Sequence, residues 1–214
     1  MFEAAHLDVN PVNLVNPVNV HRLLIATRNE HKAREFSEIL GVGFEVRDLA
    51  NTSEVPQTEE TGRSFEENAT LKAVEASQYF PELVIADDSG LEVDALQGAP
   101  GIFSARYAGE HATDAENIAK LLLELERYDP PHTARFRGCL ALAQEGKVLR
   151  VFNGVVEGVI VDEPRGTAGF GYDPVFQPLG FEQTFAELPA EAKNRMSHRA
   201  NAIRVLRNAL RCNS

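Results

Sequence analysis

Short apolar runs alternate with stripes of apolar residues at helical spacing through the first 130 residues of this chain. Leu23-Leu24-Ile25-Ala26, Phe44-Glu45-Val46 and Leu83-Val84-Ile85-Ala86 have the length of buried strands. Between and after them lie Ala33, Phe36, Ile39 and Leu40, then Phe65, Ala69, Ala73 and Ala76, then Ile118, Leu121, Leu122 and Leu125. Each set falls on one helical face. Ser64-Phe65-Glu66-Glu67 and Thr113-Asp114-Ala115-Glu116 have the form of capping boxes that open two of these helices. After Pro130-Pro131 the texture changes. Residues 134–143, 147–153 and 155–161 alternate or run apolar with little helical period and predict an antiparallel meander. A closing helix carries Met196, Ala200, Ile203, Leu206 and Leu210 on one face. Strands alternating with helices, then a strand-rich stretch, predict an α/β protein with a mixed sheet.

The ends are read differently. Residues 1–20 hold Val-Asn-Pro-Val-Asn twice, and each Asn-Pro step disfavours helix. They are expected to form an extended or disordered arm, an ordered edge contact being the alternative; residues 21–214 are expected to be one domain. The chain has 214 residues, 43% hydrophobic and 25% charged, enough for a sizeable core. Its net charge of −11 argues against broad binding to nucleic acid or an anionic membrane, though not against one small polyanion. Cys139 and Cys212 make neither a disulfide framework nor a zinc site. No apolar run approaches the roughly 18–20 residues of a membrane span, and without a basic n-region followed by an apolar stretch the N-terminus is not expected to be a secretory signal. A cytoplasmic setting is the expectation.

Four segments carry residues suited to chemistry. Thr27-Arg28-Asn29-Glu30-His31-Lys32 joins a strand to a helix, where unpaired N–H groups attract phosphate. It lacks the glycines of a P-loop or a dinucleotide fingerprint; alone, Asn29 is equally an ordinary N-cap and Lys32 a solvated residue. Asp87-Asp88-Ser89-Gly90 follows the apolar run Leu83–Ala86, at the kind of strand end where α/β ligand sites sit. Adjacent carboxylates repel unless a cation is near, and hard oxygen ligands suit Mg2+; an Asx-type turn is the plainer reading. Glu59-Glu60-Thr61-Gly62 offers a further carboxylate, although by itself it is a polar loop. Pro164–Pro174 sets glycines around Phe170, Tyr172 and Asp173, either a stacking surface for a flat ligand or an irregular connection. Lys193-Asn194-Arg195-Met196-Ser197-His198-Arg199 concentrates basic side chains at the expected start of the last helix, or is a solvated helix end. A superficial likeness of Arg34–Val42 to the Nudix helix is rejected, because Ile39 stands where that pattern needs a metal-binding Glu.

Taken together and in order, these blocks resemble the inosine triphosphate pyrophosphatase family, also called XTP/dITP diphosphatases. The resemblance spans about residues 22–210. It rests on Thr27-x-Asn29-x-x-Lys32, Phe65-Glu66-Glu67-Asn68-Ala69, Ala86-Asp87-Asp88-Ser89-Gly90-Leu91, Gly98-Ala99-Pro100-Gly101, Ser104-Ala105-Arg106-Tyr107-Ala108-Gly109, Phe170-Gly171-Tyr172-Asp173-Pro174 and Ser197-His198-Arg199. Arg28 replaces a smaller residue or His, Gly138 stands where Cys is expected beside a core Cys139, and residues 1–20 have no counterpart.

The resemblance implies a two-lobed fold around a long curved mixed sheet, with the nucleotide in the cleft and homodimers usual. It implies hydrolysis of ITP, dITP and XTP between the α- and β-phosphates, with Mg2+ as cofactor. Asp88 is then expected to orient or deprotonate water and meet the metal, with Asp87 in support and Glu59 or Glu60 completing the metal site. Thr27, Asn29, Lys32, Ser89, Phe170, Gly171, Tyr172, Asp173, Lys193, His198 and Arg199 are expected to bind the substrate, with Lys32 and the helix N-terminus at the triphosphate and Phe170 or Tyr172 as the stacking surface. A donor from Arg199 or His198 fits the acceptor O6 of hypoxanthine or xanthine and opposes the amino group of adenine. Guanine also has O6, so its rejection must lie elsewhere. Two other classes stay open: a nucleotide sensor without catalysis, against which the intact Asp87, Asp88 and Lys32 argue, and a metal-dependent hydrolase of other dNTPs.

Overall fold

The computed structural model describes residues 21–50, 52 and 55–211. The expected arm and Cys212 lie outside these residues. Strand β1 (His21–Ile25) pairs in parallel with β2 (Phe44–Asp48) and with β3 (Leu83–Val93). From β3 onward every pairing is antiparallel, through β4 (His132–Gln144), β5 (Lys147–Ile160) and β6 (Phe176–Pro178). The result is one mixed sheet in the order β2-β1-β3-β4-β5-β6. Flanking it are α1 (Glu30–Leu40), α2 (Phe65–Ala76), α3 (Asp114–Leu125), α4 (Ala190–Met196) and α5 (His198–Arg211). This is the α/β class that the sequence predicts.

Helix starts follow local chemistry. Asn29 caps α1 by accepting from the Lys32 amide at 3.1 Å. Thr113 and Glu116 form the expected reciprocal capping box on α3. At α2 only half of the box forms: Ser64 accepts from the Glu67 amide, whereas the Glu67 carboxylate accepts from the Arg63 amide at 2.7 Å.

Three expectations need correction. The Leu83–Ala86 strand does not stop before the acidic pair but continues to Val93. Its backbone groups from Val84 to Val93 are paired along β4, and that partner, not local propensity, extends it. The expected strands 147–153 and 155–161 are one strand, because β4 also pairs with β5 across Asn153-Gly154. The closing helix is two helices. Ser197, at ψ 159°, ends α4, and its hydroxyl accepts from the Ala200 amide to start α5. Met196 therefore closes α4 and does not belong to the α5 stripe.

Two separate cores sit at opposite ends of β3 and β4. Leu23, Ile25, Phe36, Ile85, Leu140, Ile203 and Leu206 form one beneath α1 and α5. Leu91, Val93, Ile118, Leu121, Phe136 and Phe176 form the other against α3. Asp87–Gly90 lies on β3 between the residues that enter the two cores, at the junction of the lobes.

Candidate functional site

β1 ends at Ile25, opposite Ile85, while β3 runs on. The residues after Ile85 therefore lie beyond the carboxyl end of their parallel neighbour. There the side-chain alternation of a strand separates Asp87 from Asp88. Asp87 shares a face with Ile85 and meets α1 and α5. Asp88 shares the opposite face with Ala86 and meets α2.

Each carboxylate has its own cations. One oxygen of Asp87 accepts from Lys32 Nζ at 2.7 Å, from Arg199 Nη2 at 3.0 Å and from the Ser89 hydroxyl at 3.2 Å. Its other oxygen has no hydrogen-bond partner among the described residues. Burial is the largest influence on Asp87 and favours the neutral form. Arg199 and Lys32 together outweigh it and hold the group far below the usual carboxylate range. Asp88 accepts from Lys72 Nζ at 2.9 Å and from Asn68 Nδ2 at 3.2 Å. Burial prevails there: it raises the Asp88 pKa, Lys72 and Lys32 oppose it, and Glu60 adds to it. Two neighbouring carboxyls thus have their proton affinities pushed in opposite directions, the arrangement that separates a fixed anion from a proton acceptor.

A chain of alternating charges extends from Asp87 into the aromatic side of the site. Arg199, 1% exposed, bridges Asp87 and Glu35. Lys193 bridges Glu35 at 2.8 Å and Asp173 at 2.6 Å. Burial opposes ionisation of Glu35, but Arg199 and Lys193 lower its pKa; for Asp173 burial prevails over Lys193 and raises it. Lys193 Nζ also lies 4.7 Å from the centre of the Phe170 ring, which stacks on His31.

His198 lies beside this network without a hydrogen bond to it. Burial, with Arg199 beside it, drives its pKa well below 6.5, so the ring is neutral at pH 7. It stacks on Phe136, and neither ring nitrogen has a hydrogen-bond partner among the described residues. Two glycines make this placement possible. Gly138 and Gly154 face one another across β4 and β5. A Cβ on Gly154 would meet the His198 carbonyl oxygen at 1.9 Å, and one on Gly138 would meet the His198 ring at 2.7 Å. Gly138, the departure from the expected Cys, is therefore half of a notch that seats α5. Cys139 beside it is a core residue as expected, its thiol pushed up to about 12 chiefly by burial.

Two cavities meet at Asn29, Lys32 and Ala105. One, of about 450 Å³, is lined by Thr27, Arg28, Lys72 and Glu60. The other, of about 160 Å³, is lined by Phe136, Phe170, Tyr172 and His198. A larger groove of about 770 Å³ between α1, α4 and α5 holds Glu38, Arg204 and Arg207 but neither the carboxylate pair nor an aromatic wall. The chemistry favours the smaller, joined cavities.

The structure brings Thr27, Asn29, Lys32 and Asp87 to the first cavity, with Asp88 behind its Lys72, and Ser89, Phe170, Gly171, Asp173, Lys193, His198 and Arg199 to the second. Tyr172 is buried, and its hydroxyl donates to the Ser104 carbonyl at 2.9 Å. Arg199 also lines the cavity, but both of its terminal nitrogens are bound to Glu35, Asp87 and Ser89. Both glutamates are exposed; Glu60 reaches the Asp88 cluster through Lys72, and Glu59 makes none of these contacts. The sequence reading missed Lys72 and Glu35 and gave Asn68 no role. A polar pair four apart on the alanine face of α2 is the signal that marks Asn68 and Lys72. Glu35 offers a weaker one, a carboxylate adjoining the core position Phe36.

Carboxylate oxygens of Asp88 and Glu60 converge on one ammonium, at 2.9 and 3.1 Å. No group of three or more His, Cys, Asp or Glu side chains suited to a metal occurs among the described residues. Two hard oxygen donors fit a cation that takes its remaining ligands from water and phosphate.

Comparison with known proteins finds relatives over most of the chain. The family model described as the Ham1 family matches residues 23–209. A dITP/XTP pyrophosphatase of Bacillus licheniformis is 50% identical over 186 residues, 86% of this chain and 95% of the relative. That of Bacillus subtilis is 47% identical over 189 residues, 87% of this chain and 96% of the relative. The structure of the Staphylococcus aureus Ham1 protein superposes with a TM-score of 0.80 at 40% identity, over 90% of this chain and all of that one.

Proposed function

The chain belongs to the Ham1 family, and on that premise we propose that it hydrolyses deaminated purine nucleoside triphosphates, ITP, dITP and XTP, to the monophosphate and pyrophosphate. The observation that carries the reading is the split carboxylate pair bound to Lys32 and Lys72, which line a cation-rich cleft that joins an aromatic cavity. The triphosphate lies along Thr27, Asn29 and Lys32, where the α1 N-terminus adds its partial positive charge. Phosphoryl transfer depends mainly on positioning and charge stabilisation. Asp88, with its raised proton affinity, orients and deprotonates the attacking water. Asn68 and Lys72 hold that carboxylate in place. Asp87 keeps Lys32 and Arg199 fixed. Asp88 and Glu60 would hold a bound Mg2+, which would supply charge neutralisation at the phosphates; Glu59 is the less suited of the two candidates.

The base enters the aromatic cavity beside Phe170. His198 is neutral and unpartnered, so it has one donor nitrogen to offer O6. Arg199 serves the same subsite by holding Asp87 and Glu35. The protein acts as a homodimer in the cytoplasm, on free nucleotides, and keeps deaminated bases out of the pool used by polymerases. No helix among the described residues is long and apolar enough to cross a membrane. Incubation of the full chain with ITP, dATP and dUTP in the presence of Mg2+ tests the reading. Pyrophosphate released from ITP well ahead of the other two is expected. Orthophosphate, or equal turnover of dATP, would refute it.

A further inference from the structure

The aromatic wall of the cavity is carried by Gly169-Phe170-Gly171, whose glycines have φ of +77° and +61°. That backbone conformation is open to glycine and strained for other residues, so the loop relies on contacts to hold one shape. Two consecutive amides supply them. The Phe170 N–H donates to Asp173 Oδ2 at 2.9 Å, and the Gly171 N–H donates to Asp114 Oδ2 at 2.6 Å. Asp173 belongs to the same loop and is buried. Asp114 comes from a different element, the first residue of α3, and is exposed. One turn further along α3, Asn117 accepts from the Ala108 amide at 2.8 Å and donates to the Ala105 carbonyl at 3.2 Å. Ala105 lines both cavities. The first turn of α3 therefore holds two walls of the site.

We infer that Asp114 is a positioning residue for substrate binding, a latch that holds the Phe170 loop in its base-stacking position through the Gly171 amide. The inference rests on the nucleotide reading above. Loss of the latch leaves Asp173 as the remaining side-chain acceptor on these two amides. Phe170 then samples positions away from the base. The phosphate side, with Lys32, Asp87, Asp88 and Lys72, is untouched by this change. Binding of the base weakens equally in the ground and transition states, which raises KM and spares kcat.

The test compares Asp114→Ala, Asp114→Asn and Glu116→Ala with the parent chain in ITP hydrolysis, and measures IMP affinity by calorimetry. Asp114→Ala is expected to raise KM about tenfold, the scale of one lost hydrogen bond to a charged group. Its kcat should stay within about twofold, and IMP should bind correspondingly more weakly. Asp114→Asn keeps an acceptor oxygen and should recover most of the loss. Glu116→Ala opens the capping box on the same helix without touching Gly171, and should leave KM unchanged. The latch is overturned if Asp114→Ala matches the parent, if Asp114→Asn is as damaged as Asp114→Ala, or if Glu116→Ala reproduces the defect through α3 alone. A parent chain that does not hydrolyse ITP refutes the proposed function; a parent that does, with unaltered variants, refutes only the latch.

Discussion

The two faces of β3 hold carboxylates one residue apart in sequence and opposite in circumstance. On one face Asp87 is 4% exposed and held between a lysine and an arginine, so it stays a fixed anion. On the other, Asp88 is bonded to one lysine and an amide, with Lys32 acting only at longer range, faces a second carboxylate beyond Lys72, and binds a proton more readily than a free aspartate. The contrast comes from strand alternation, which gives each side chain a different helix for a partner. Burial alone raises both; the number of cations on each face decides the outcome.

The largest break in this comparison should come from Asp88→Asn. Turnover of ITP is expected to fall by about 10²–10⁴, the range of general acid–base assistance, with little change in melting temperature. Steady-state kinetics and a thermal melt check both halves. Asp87→Asn should reverse the pattern, because it leaves Arg199 and Lys32 short of a buried partner. The loss of folding stability is expected at about 3–5 kcal/mol, read by denaturant unfolding at pH 7. The folded-state pKa of Asp87 is depressed, so its contribution is present above the unfolded value near 3.8 and fades as pH falls below it. The parent should therefore lose its advantage over Asp87→Asn in strong acid.

A smaller effect separates the aromatic side from the phosphate side. His198→Ala should lower the ITP to ATP efficiency ratio by about one power of ten, as one hydrogen bond to O6 is lost. Lys32→Ala should damage both nucleotides alike. Arg199→Ala should also affect both and cost stability, because Arg199 ties Glu35 to Asp87. An unchanged ratio in His198→Ala would move base reading to the Phe170–Asp173 loop. The finest test is Lys72→Met. Lys72 opposes the upward shift of Asp88, so its removal should move the acid limb of kcat/KM to higher pH. A limb that stays in place would remove Asp88 from the role of base.

Much of this was legible in the residues. The α1 stripe, the α3 capping box and the apolar run before Asp87 required only periodicity and local hydrogen-bonding chemistry. Resemblance in several ordered blocks added the family and pointed to Asp88, Lys32 and the Ser197-His198-Arg199 segment. Lys72 was not legible, because a lysine on a helix is usually a solvated residue and only its depth beside Asp88 distinguishes it. Glu35 was hidden likewise, in a segment notable only for a false likeness to another enzyme's helix. The break at Ser197 went unseen because the apolar period runs across it.

What the sequence by itself determined is the order of elements from β1 to β4, the caps that start α1, α2 and α3, and the residue types available for chemistry, since these depend on neighbours a few positions apart. What only the tertiary structure decided is which cation meets which carboxylate, how far β3 extends, and where α5 sits. β3 continues through a polar stretch because β4 satisfies its backbone. Asp87 and Asp88 diverge because α1 and α5 cover one face of the sheet and α2 the other. His198 reaches the cavity because Gly138 and Gly154, sixteen positions apart in the chain, pair across two strands and clear the space for its helix.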